Sequence, residues 1–427
     1  MITVLEYAEL QSYDQTAIAS ERSAFVSQET LDWIAQQHQA WRLDDIDTAD
    51  LFLDYKKNIF KLGAYVGYLQ SPFNDEQIQI FPKIEIGLGD IEKSKAILQK
   101  MIAVVYDIRA KTVNDADLDH QDIPLHEWII SKFLNALEQL IHEGLKRDYE
   151  LVQDEQPFIK GRLLVHAHMR RGAGKEATFD VEYDEFLLNG IENCLIKTAL
   201  DSILMLTQNP NSILMAYEFS ALLQDIPVVE HPIDELYKWR EDRLLVGYND
   251  IKPWCEIILS NIRPSFQHGL YRGVSLLFSM PHLFEKYVAK KIQLDVDQKL
   301  YIEPKSKALT IHRPASLSGG MDQPWFKLKP DLLITENGAE VKVLDTKWKL
   351  IHQDKYTSKD KYLLSQSDFY QMFAYGHKYL AGDGQLVLIY PYHRDFTKPL
   401  PKFYFSEKLV LEVIPFDLEN DCCVTNA

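Results

Sequence analysis

Two acidic residues and one lysine near a predicted β-hairpin have the types and spacing needed for hydrolytic chemistry. Asp331 begins one apolar run of the chain, and Asp345 and Lys347 end the next run. Two carboxylates can hold a divalent cation, which lowers the pKa of a bound water, and a nearby ammonium stabilises the charge that develops on an attacked phosphate. These three side chains are therefore sufficient for the hydrolysis of a phosphodiester.

The turn between the two runs decides whether the acids can cooperate. Asn337-Gly338 between two β-rich runs is a strong hairpin signal. A two-residue loop would pair Asp331 with Leu344 and turn Asp345 to the opposite face. A three-residue loop with a G1 bulge at the glycine would pair Asp331 with Val343 and make Asp345 its diagonal neighbour. We therefore predict the three-residue loop, with both acids on one face of an even register.

The short Asp-x-Lys motif is weak evidence when it is taken alone. The same pattern occurs at residues 54–56, and Glu-x-Lys occurs at residues 303–305 and 340–342. Strand alternation turns Glu340 and Lys342 away from Asp331. Judged by pattern only, a solvated cross-strand salt bridge is as good an interpretation as a catalytic site.

Two predicted helices flank the hairpin and carry further polar residues. Glu285 lies on a helix expected around residues 281–294, where it is either a metal-site carboxylate or a surface residue. Gln371 and Tyr375 are four residues apart on a helix expected at about 367–380, so they share one face. They can bond to a phosphate or a catalytic carboxylate, although Tyr375 would also suit ordinary packing.

These segments, in this order, resemble the McrC branch of the PD-(D/E)XK nucleases. The segments are Leu-Phe-Glu at 283–285, Lys-Pro-Asp at 329–331, Asp-Thr-Lys-Trp-Lys at 345–349 and Gln-x-x-x-Tyr at 371–375. The resemblance implies a Mg²⁺ site and catalytic residues as follows: metal ligation by Asp331 and Asp345 with support from Glu285, a catalytic Lys347, and Gln371 with Tyr375 as an accessory motif.

The resemblance also implies a function and a partner. It implies that the chain is the endonuclease subunit of a 5-methylcytosine-type restriction system. Such a subunit cuts methylated double-stranded DNA together with a McrB-like AAA+ GTPase, whose activity the subunit stimulates. A phosphate-binding loop is not expected in this chain, because residues 169–176 lack the first glycine and the final hydroxyl of that motif. The alternative is a non-catalytic assembly factor that keeps the fold and only activates the GTPase.

Charge is distributed unevenly along the chain. The net charge of −17 argues against a free-standing, non-specific DNA-binding protein, because phosphate contacts need an excess of Lys and Arg. Residues 281–380 hold 16 Lys and Arg against 12 Asp and Glu, so a phosphate site is expected there. The acidic remainder favours protein partners.

Targeting signals and cysteine spacing indicate the compartment. The first residues lack a basic region ahead of an apolar core, and no long apolar run suggests a membrane span. The four cysteines, at 194, 255, 422 and 423, have no metal-finger spacing. We therefore expect a cytoplasmic protein in a reducing environment.

Hydrophobic periodicity predicts a mixed α/β protein of three domains. A β-rich amino-terminal domain is expected at 1–95, and a mainly helical middle domain at 96–262, in which one helix ends near Gly144; both are expected to bind the partner. A restriction-endonuclease-like α/β core is expected at 263–427. Residues 393–395 are assigned to a loop after the last core strand, which is expected at 386–390.

Overall fold

The computed structural model describes most of the chain. The described residues are 1–13, 20, 22–43, 52–56, 59–73, 76–84, 91–108, 123–170, 178–240, 245–268, 271–311 and 323–425. They form two compact units. Unit 1 comprises residues 1–107, 265–273 and 277–427, and unit 2 comprises residues 108–264 and 274–276.

The described residues form helices and strands with the following bounds. The helices are α1 (Gln28–Leu43), α2 (Ile91–Val105), α3 (Leu125–Glu143), α4 (Val165–His168), α5 (Ile191–Ile203), α6 (Pro210–Leu222), α7 (Pro232–Glu235), α8 (Val246–Asn261), α9 (Met280–Lys291) and α10 (Gln366–Tyr379), with 3₁₀ turns at Leu236–Lys238 and Lys361–Leu363. The strands are β1 (Ile2–Leu5), β2 (Glu9–Ser12), β3 (Ser23–Val26), β4 (Phe52–Lys56), β5 (Ile59–Leu62), β6 (Tyr65–Gln70), β7 (Gln77–Phe81), β8 (Asp148–Gln156), β9 (Arg162–Leu163), β10 (Phe179–Leu187), β11 (Ile262–His268), β12 (Tyr271–Ser279), β13 (Gln298–Ile302), β14 (Lys307–Ile311), β15 (Gln323–Leu328), β16 (Leu332–Glu336), β17 (Ala339–Thr346), β18 (Gly384–Pro391), β19 (Phe403–Tyr404), β20 (Leu409–Asp417) and β21 (Cys422–Cys423).

The amino-terminal part of unit 1 is β-rich, as the sequence predicts. One sheet has the strand order β1-β7-β6-β12-β11, and a second has the order β3-β2-β5-β4. Apolar residues of both sheets and of α1 form a shared core, which includes Leu277 of β12. A strand that follows the middle region therefore completes the amino-terminal sheet.

The position of β12 in the amino-terminal sheet explains why the two compact units differ from the three predicted domains. Unit 1 joins the predicted segment 1–95 to residues 265–273 and 277–427 of the predicted carboxy-terminal segment, and α2, which begins at Ile91, belongs to it as well. Because β12 lies beside β6 in the amino-terminal sheet, residues 271–279 are not part of the α/β core.

The carboxy-terminal part of unit 1 is an α/β layer built on a mixed sheet. Its strand order is β13-β16-β17-β18-β20-β19, with β21 paired to β20. β17, β18 and β20 run parallel, and β16 runs antiparallel to β17. A parallel pair needs a crossover, and α10 provides it between β17 and β18. Met372 and Tyr375 of α10 pack into the buried apolar core of this sheet.

Unit 2 combines helices with a small sheet of order β8-β10-β9. Helix α3 ends where predicted, because Gly144 has a φ of 100° and its N–H donates to the carbonyls of Leu140 and Ile141. Trp128 of α3 packs edge-on against Trp254 of α8, with 5.5 Å between ring centroids. Among the described helices of both units, none has the length and apolar character that crossing a bilayer requires.

Candidate active site

The hairpin between β16 and β17 has a two-residue turn, so the predicted three-residue loop is wrong. Glu336 pairs with Ala339, and Asn337 and Gly338 between them have φ values of 50° and 84°. Two consecutive positive φ values are typical of a type I′ turn, whose twist suits the flanking strands. The predicted G1 bulge at the glycine is therefore absent from this turn.

A β-bulge in the middle of the hairpin nevertheless brings the two acids to one face. The bulge shifts the register by one residue, and beyond it Leu332 pairs with Leu344. The preceding residue, Asp331, therefore lies opposite Asp345. The predicted pairing of Asp331 with Val343 is wrong, whereas the predicted even register is confirmed.

Asp331 is fixed by the end of the neighbouring strand. Its Oδ2 accepts a hydrogen bond from the backbone N of Thr346 at 2.6 Å and another from the Thr346 hydroxyl at 2.8 Å. Its own carbonyl accepts from the backbone N of Glu303 at 2.8 Å. Both the side chain and the backbone of Asp331 are thus held in place, so its carboxylate has a defined direction.

Asp345 is a fully buried acid, and one of its carboxylate oxygens pairs with Lys347 while the other has no hydrogen-bond donor among the described residues. Its Oδ2 forms an ion pair with Lys347, at 2.6 Å from Nζ. Its Oδ1 is buried and has no hydrogen-bond partner within the described part of the chain. Burial, and next the negative charge of Asp331, raise the pKa of Asp345 to about 6, against the effect of Lys347. An orphaned, buried carboxylate oxygen is costly unless something binds it.

Lys347 is joined to both predicted accessory residues in one chain of hydrogen bonds. Its Nζ donates to Gln371 Oε1 at 3.1 Å, and Gln371 Nε2 donates to the Tyr375 hydroxyl at 2.7 Å. That hydroxyl donates to the Lys329 carbonyl at 2.8 Å. Burial lowers the pKa of Lys347, but the acids Asp345, Asp331 and Asp368 together outweigh burial, and the pKa lies above its usual value. The ammonium is therefore charged and positioned.

Glu285 of α9 lies within electrostatic reach of the same acids. It is half-buried, and burial raises its pKa to about 7 together with the negative charges of Asp331, Glu303 and Asp345. The structure thus gathers all six predicted site residues, on α9, the β16–β17 hairpin and α10, around one place.

Two acids near the site were not selected from the sequence. Glu303 has a φ of 45° and forms an ion pair with Lys329. Its only sequence signal is the Glu-x-Lys pattern at 303–305, which is non-specific because the same pattern occurs at 340–342. The positive φ of Glu303, whose backbone N donates to the Asp331 carbonyl, has no local signature in the sequence.

Asp368 of α10 is the second acid. It is buried, and it accepts from Lys349 Nζ at 3.2 Å and from the Tyr390 hydroxyl at 3.2 Å. Its charge raises the pKa of both Asp345 and Lys347. Its position in the first turn of α10, three residues before Gln371, was the signal that could have found it.

The donor chemistry of the site fits Mg²⁺. Within the described residues, no three or more His, Cys, Asp and Glu side chains form a complete metal-binding group. Mg²⁺ does not need one, because it is commonly bound through one or two carboxylates and keeps several waters. Asp345 offers a buried oxygen without a hydrogen-bond partner, and Asp331 lies opposite it.

Comparisons with known proteins found one matching family model and similar solved structures. The family model described as "McrBC 5-methylcytosine restriction system component" matches residues 60–391. No curated protein matches the chain. A solved structure of a half-complex from a tetradecameric assembly of Thermococcus gammatolerans McrB AAA+ hexamers with bound McrC is similar, at 17% identity and a TM-score of 0.61, over 97% of this chain and 94% of that chain. A cryo-EM structure of the Thermococcus gammatolerans McrBC complex matches 68% of this chain and 86% of that one, at 18% identity and a TM-score of 0.47.

Proposed function

Because the chain belongs to the McrBC family of 5-methylcytosine restriction system components, we propose that it is the endonuclease subunit of such a system, with a PD-(D/E)XK core. The observation that carries the proposal is the Asp345–Lys347 ion pair, which Asp331 faces and Gln371 supports. Acids and a lysine in this arrangement suit metal-dependent hydrolysis of DNA phosphodiesters.

Each residue has a distinct part in the proposed reaction. Hydrolysis joins a water oxygen to phosphorus and breaks the bond from phosphorus to a sugar oxygen, which leaves with a proton. Asp331 and Asp345, with support from Glu285, would hold Mg²⁺, which activates water and neutralises negative charge when it is bound. The Lys347 ammonium lies where it can stabilise the charge that develops on the phosphate.

Gln371 and Tyr375 keep the lysine in position. Because Lys347 Nζ is shared between Asp345 and Gln371, it is held from two sides before substrate arrives. Such preorganisation avoids the cost of reorienting a charged group during the reaction. The hydrogen bond from Tyr375 to the Lys329 carbonyl anchors this support beside Asp331.

A McrB-like AAA+ GTPase is the proposed partner, and methylated double-stranded DNA is the proposed substrate. The proposal is supported by the likeness to the assembly in which McrB AAA+ hexamers have bound McrC. It is also supported by the net charge of −17, which leaves DNA contacts to a partner.

The test is to mix the purified chain with the cognate GTPase, GTP and Mg²⁺, and to measure cleavage of methylated and unmethylated DNA. We expect cleavage of methylated DNA only, dependent on both partners and abolished by EDTA. Stimulation of GTP hydrolysis without any DNA cleavage would overturn the nuclease assignment and support a non-catalytic activator.

A further inference from the structure

Glu6 is a buried acid at the end of β1 whose backbone is fixed by β7. Only 3% of the residue is exposed. Its backbone N donates to the Phe81 carbonyl at 2.8 Å, and its Oε1 accepts from the backbone N of Lys83 at 2.9 Å. The carboxylate therefore has a position set by the amino-terminal sheet.

The same oxygen of Glu6 binds the residue that follows the catalytic lysine. Trp348 Nε1 donates to Glu6 Oε1 at 2.8 Å, across 342 positions of sequence. The Trp348 ring is buried and packs against Phe284, with 5.2 Å between ring centroids. Phe284 directly precedes Glu285 on α9. One hydrogen bond thus ties the amino-terminal sheet to the segment that carries Lys347.

Trp348 borders a cavity on one side. A cavity of about 260 Å³ is lined by Glu6, Trp348, Lys83 and neighbouring residues. Protein interiors fix side chains by close packing, and that constraint is missing on the side of the ring that borders this cavity. Beside this cavity, the hydrogen bond to Glu6 holds the indole nitrogen of Trp348.

Movement of Trp348 would move Lys347. The backbone N of Lys349 donates to the Lys347 carbonyl at 3.0 Å, so Trp348 is the central residue of a tight turn that Lys347 begins. A shift of the Trp348 backbone that releases the indole therefore also moves Lys347. The backbone N of Lys347 donates to the Ile389 carbonyl at 2.9 Å, which ties this segment to β18. We infer that Glu6 is a positioning residue for Lys347 and acts through Trp348, an inference that rests on the proposed nuclease function.

The cost of burying Glu6 supports this inference. Glu6 Oε2 is buried and has no hydrogen-bond partner within the described residues, and burial raises the pKa of Glu6 to about 7. A buried carboxyl group with one unpaired oxygen contributes less stability than an apolar side chain of the same size. The contribution of Glu6 is to hold the Trp348 side chain in one arrangement.

The hydrogen bonds of Glu6 suggest two contrasting variants of this residue, one that keeps the acceptor and one that removes it. Since Oε1 accepts both hydrogen bonds and Oε2 accepts none, Glu6→Gln can keep both bonds through its amide oxygen. Glu6→Met keeps the length of the side chain and removes the acceptor. Trp348→Phe keeps the aromatic packing on Phe284 and removes the donor. Val4→Ala is the control, because Val4 is buried in the same strand β1 and belongs to the apolar core of the amino-terminal sheets.

Each full-length variant is assembled with the GTPase, and the kcat and KM of DNA cleavage and the GTP turnover are measured. We expect Glu6→Met and Trp348→Phe to lower kcat about tenfold to a hundredfold, as small misplacements of catalytic groups do. KM and GTP turnover should change little, and Glu6→Gln should stay within about twofold of wild type. The double variant should be no slower than the slower single variant, since both act through one bond.

A second readout does not depend on cleavage. The backbone amide of Lys347 should exchange hydrogen faster in Glu6→Met than in wild type, and at the wild-type rate in Glu6→Gln and Val4→Ala. Unchanged kcat and unchanged exchange in Glu6→Met would overturn the inference, as would an equal loss of kcat in Val4→Ala. If wild type fails to cleave DNA, the proposed function fails, and the exchange rates still decide whether Glu6 positions Lys347.

Discussion

Asp345 and Lys347 form an ion pair of 2.6 Å in which the acid is buried and the lysine is partly exposed. Two residues apart at the end of β17, they point to the same side of the strand. The buried acid holds the lysine, while the exposed part of the lysine can meet a phosphate from solvent. Gln371 binds the same nitrogen from α10 at 3.1 Å.

Removal of the Gln371 support should slow the reaction. We expect Gln371→Ala to lower kcat of DNA cleavage about tenfold, with KM nearly unchanged, because Lys347 loses one of the two groups that orient it. Tyr370→Ala is the matched control, since Tyr370 is the preceding residue of α10 and is 65% exposed. Equal rates for both variants would contradict the positioning role.

The hairpin turn should be sensitive to the residue at position 338. Gly338 has a φ of 84°, and a Cβ there would have no heavy atom within 4 Å. Gly338→Val should therefore destabilise the protein by about 1–2 kcal/mol through backbone strain alone. Ala339→Val, at an exposed strand position, serves as the control. Thermal unfolding compares the two, and equal midpoints would show that the turn tolerates a side chain.

Glu6 should make stability depend on pH in a defined window. Its folded pKa is raised from 4.5 to about 7 by burial. Below about pH 4.5 the group is protonated in both states, so no penalty exists. Between 4.5 and 7 the unfolded state ionises while the folded state stays protonated, so stability falls by up to about 3 kcal/mol, and above 7 the penalty is complete. Glu6→Gln has no such penalty. Its thermal midpoint should rise relative to wild type across this window; a constant difference would contradict the prediction.

Charge should make the isolated chain a weak DNA-binding protein. With a net charge of −17, phosphate contacts are opposed by repulsion, so we expect little binding at physiological salt. Binding should strengthen when the GTPase is added. A fluorescence-anisotropy titration over several salt concentrations measures this, and tight binding by the isolated chain, independent of DNA sequence, would count against the proposed division of labour.

The proximity of the predicted site residues could be foreseen from the sequence because their motifs are local. Gln371 and Tyr375 share a helix face by spacing, and alternation places Asp345 and Lys347 on one side of a strand. The register of the β16–β17 pair could not be predicted, because a one-residue bulge in β17 leaves no reliable signature in the sequence. The right face was predicted for the wrong reason: the bulge lies within the strands and not at the turn.

Other elements were missed for tertiary reasons. β20 lies in the core sheet beside β18, so residues 393–395 do not follow the last core strand as predicted. Pro415 within β20 weakens the strand signal, because proline cannot donate to the ladder. The Glu6–Trp348 bond joins residues 342 positions apart, and no spacing rule connects them.

The most direct test of the nuclease assignment compares three variants in one reaction with the GTPase, GTP, Mg²⁺ and methylated DNA. Asp345→Asn and Lys347→Ala should each lower cleavage by at least about a hundredfold, because one weakens the metal site and the other removes charge stabilisation at the phosphate. Lys342→Ala, on the same strand but opposite in parity, should cleave like wild type. GTP turnover, recorded in the same tube, should stay near the wild-type value for all three. Undiminished cleavage by Asp345→Asn and Lys347→Ala would contradict the assigned site.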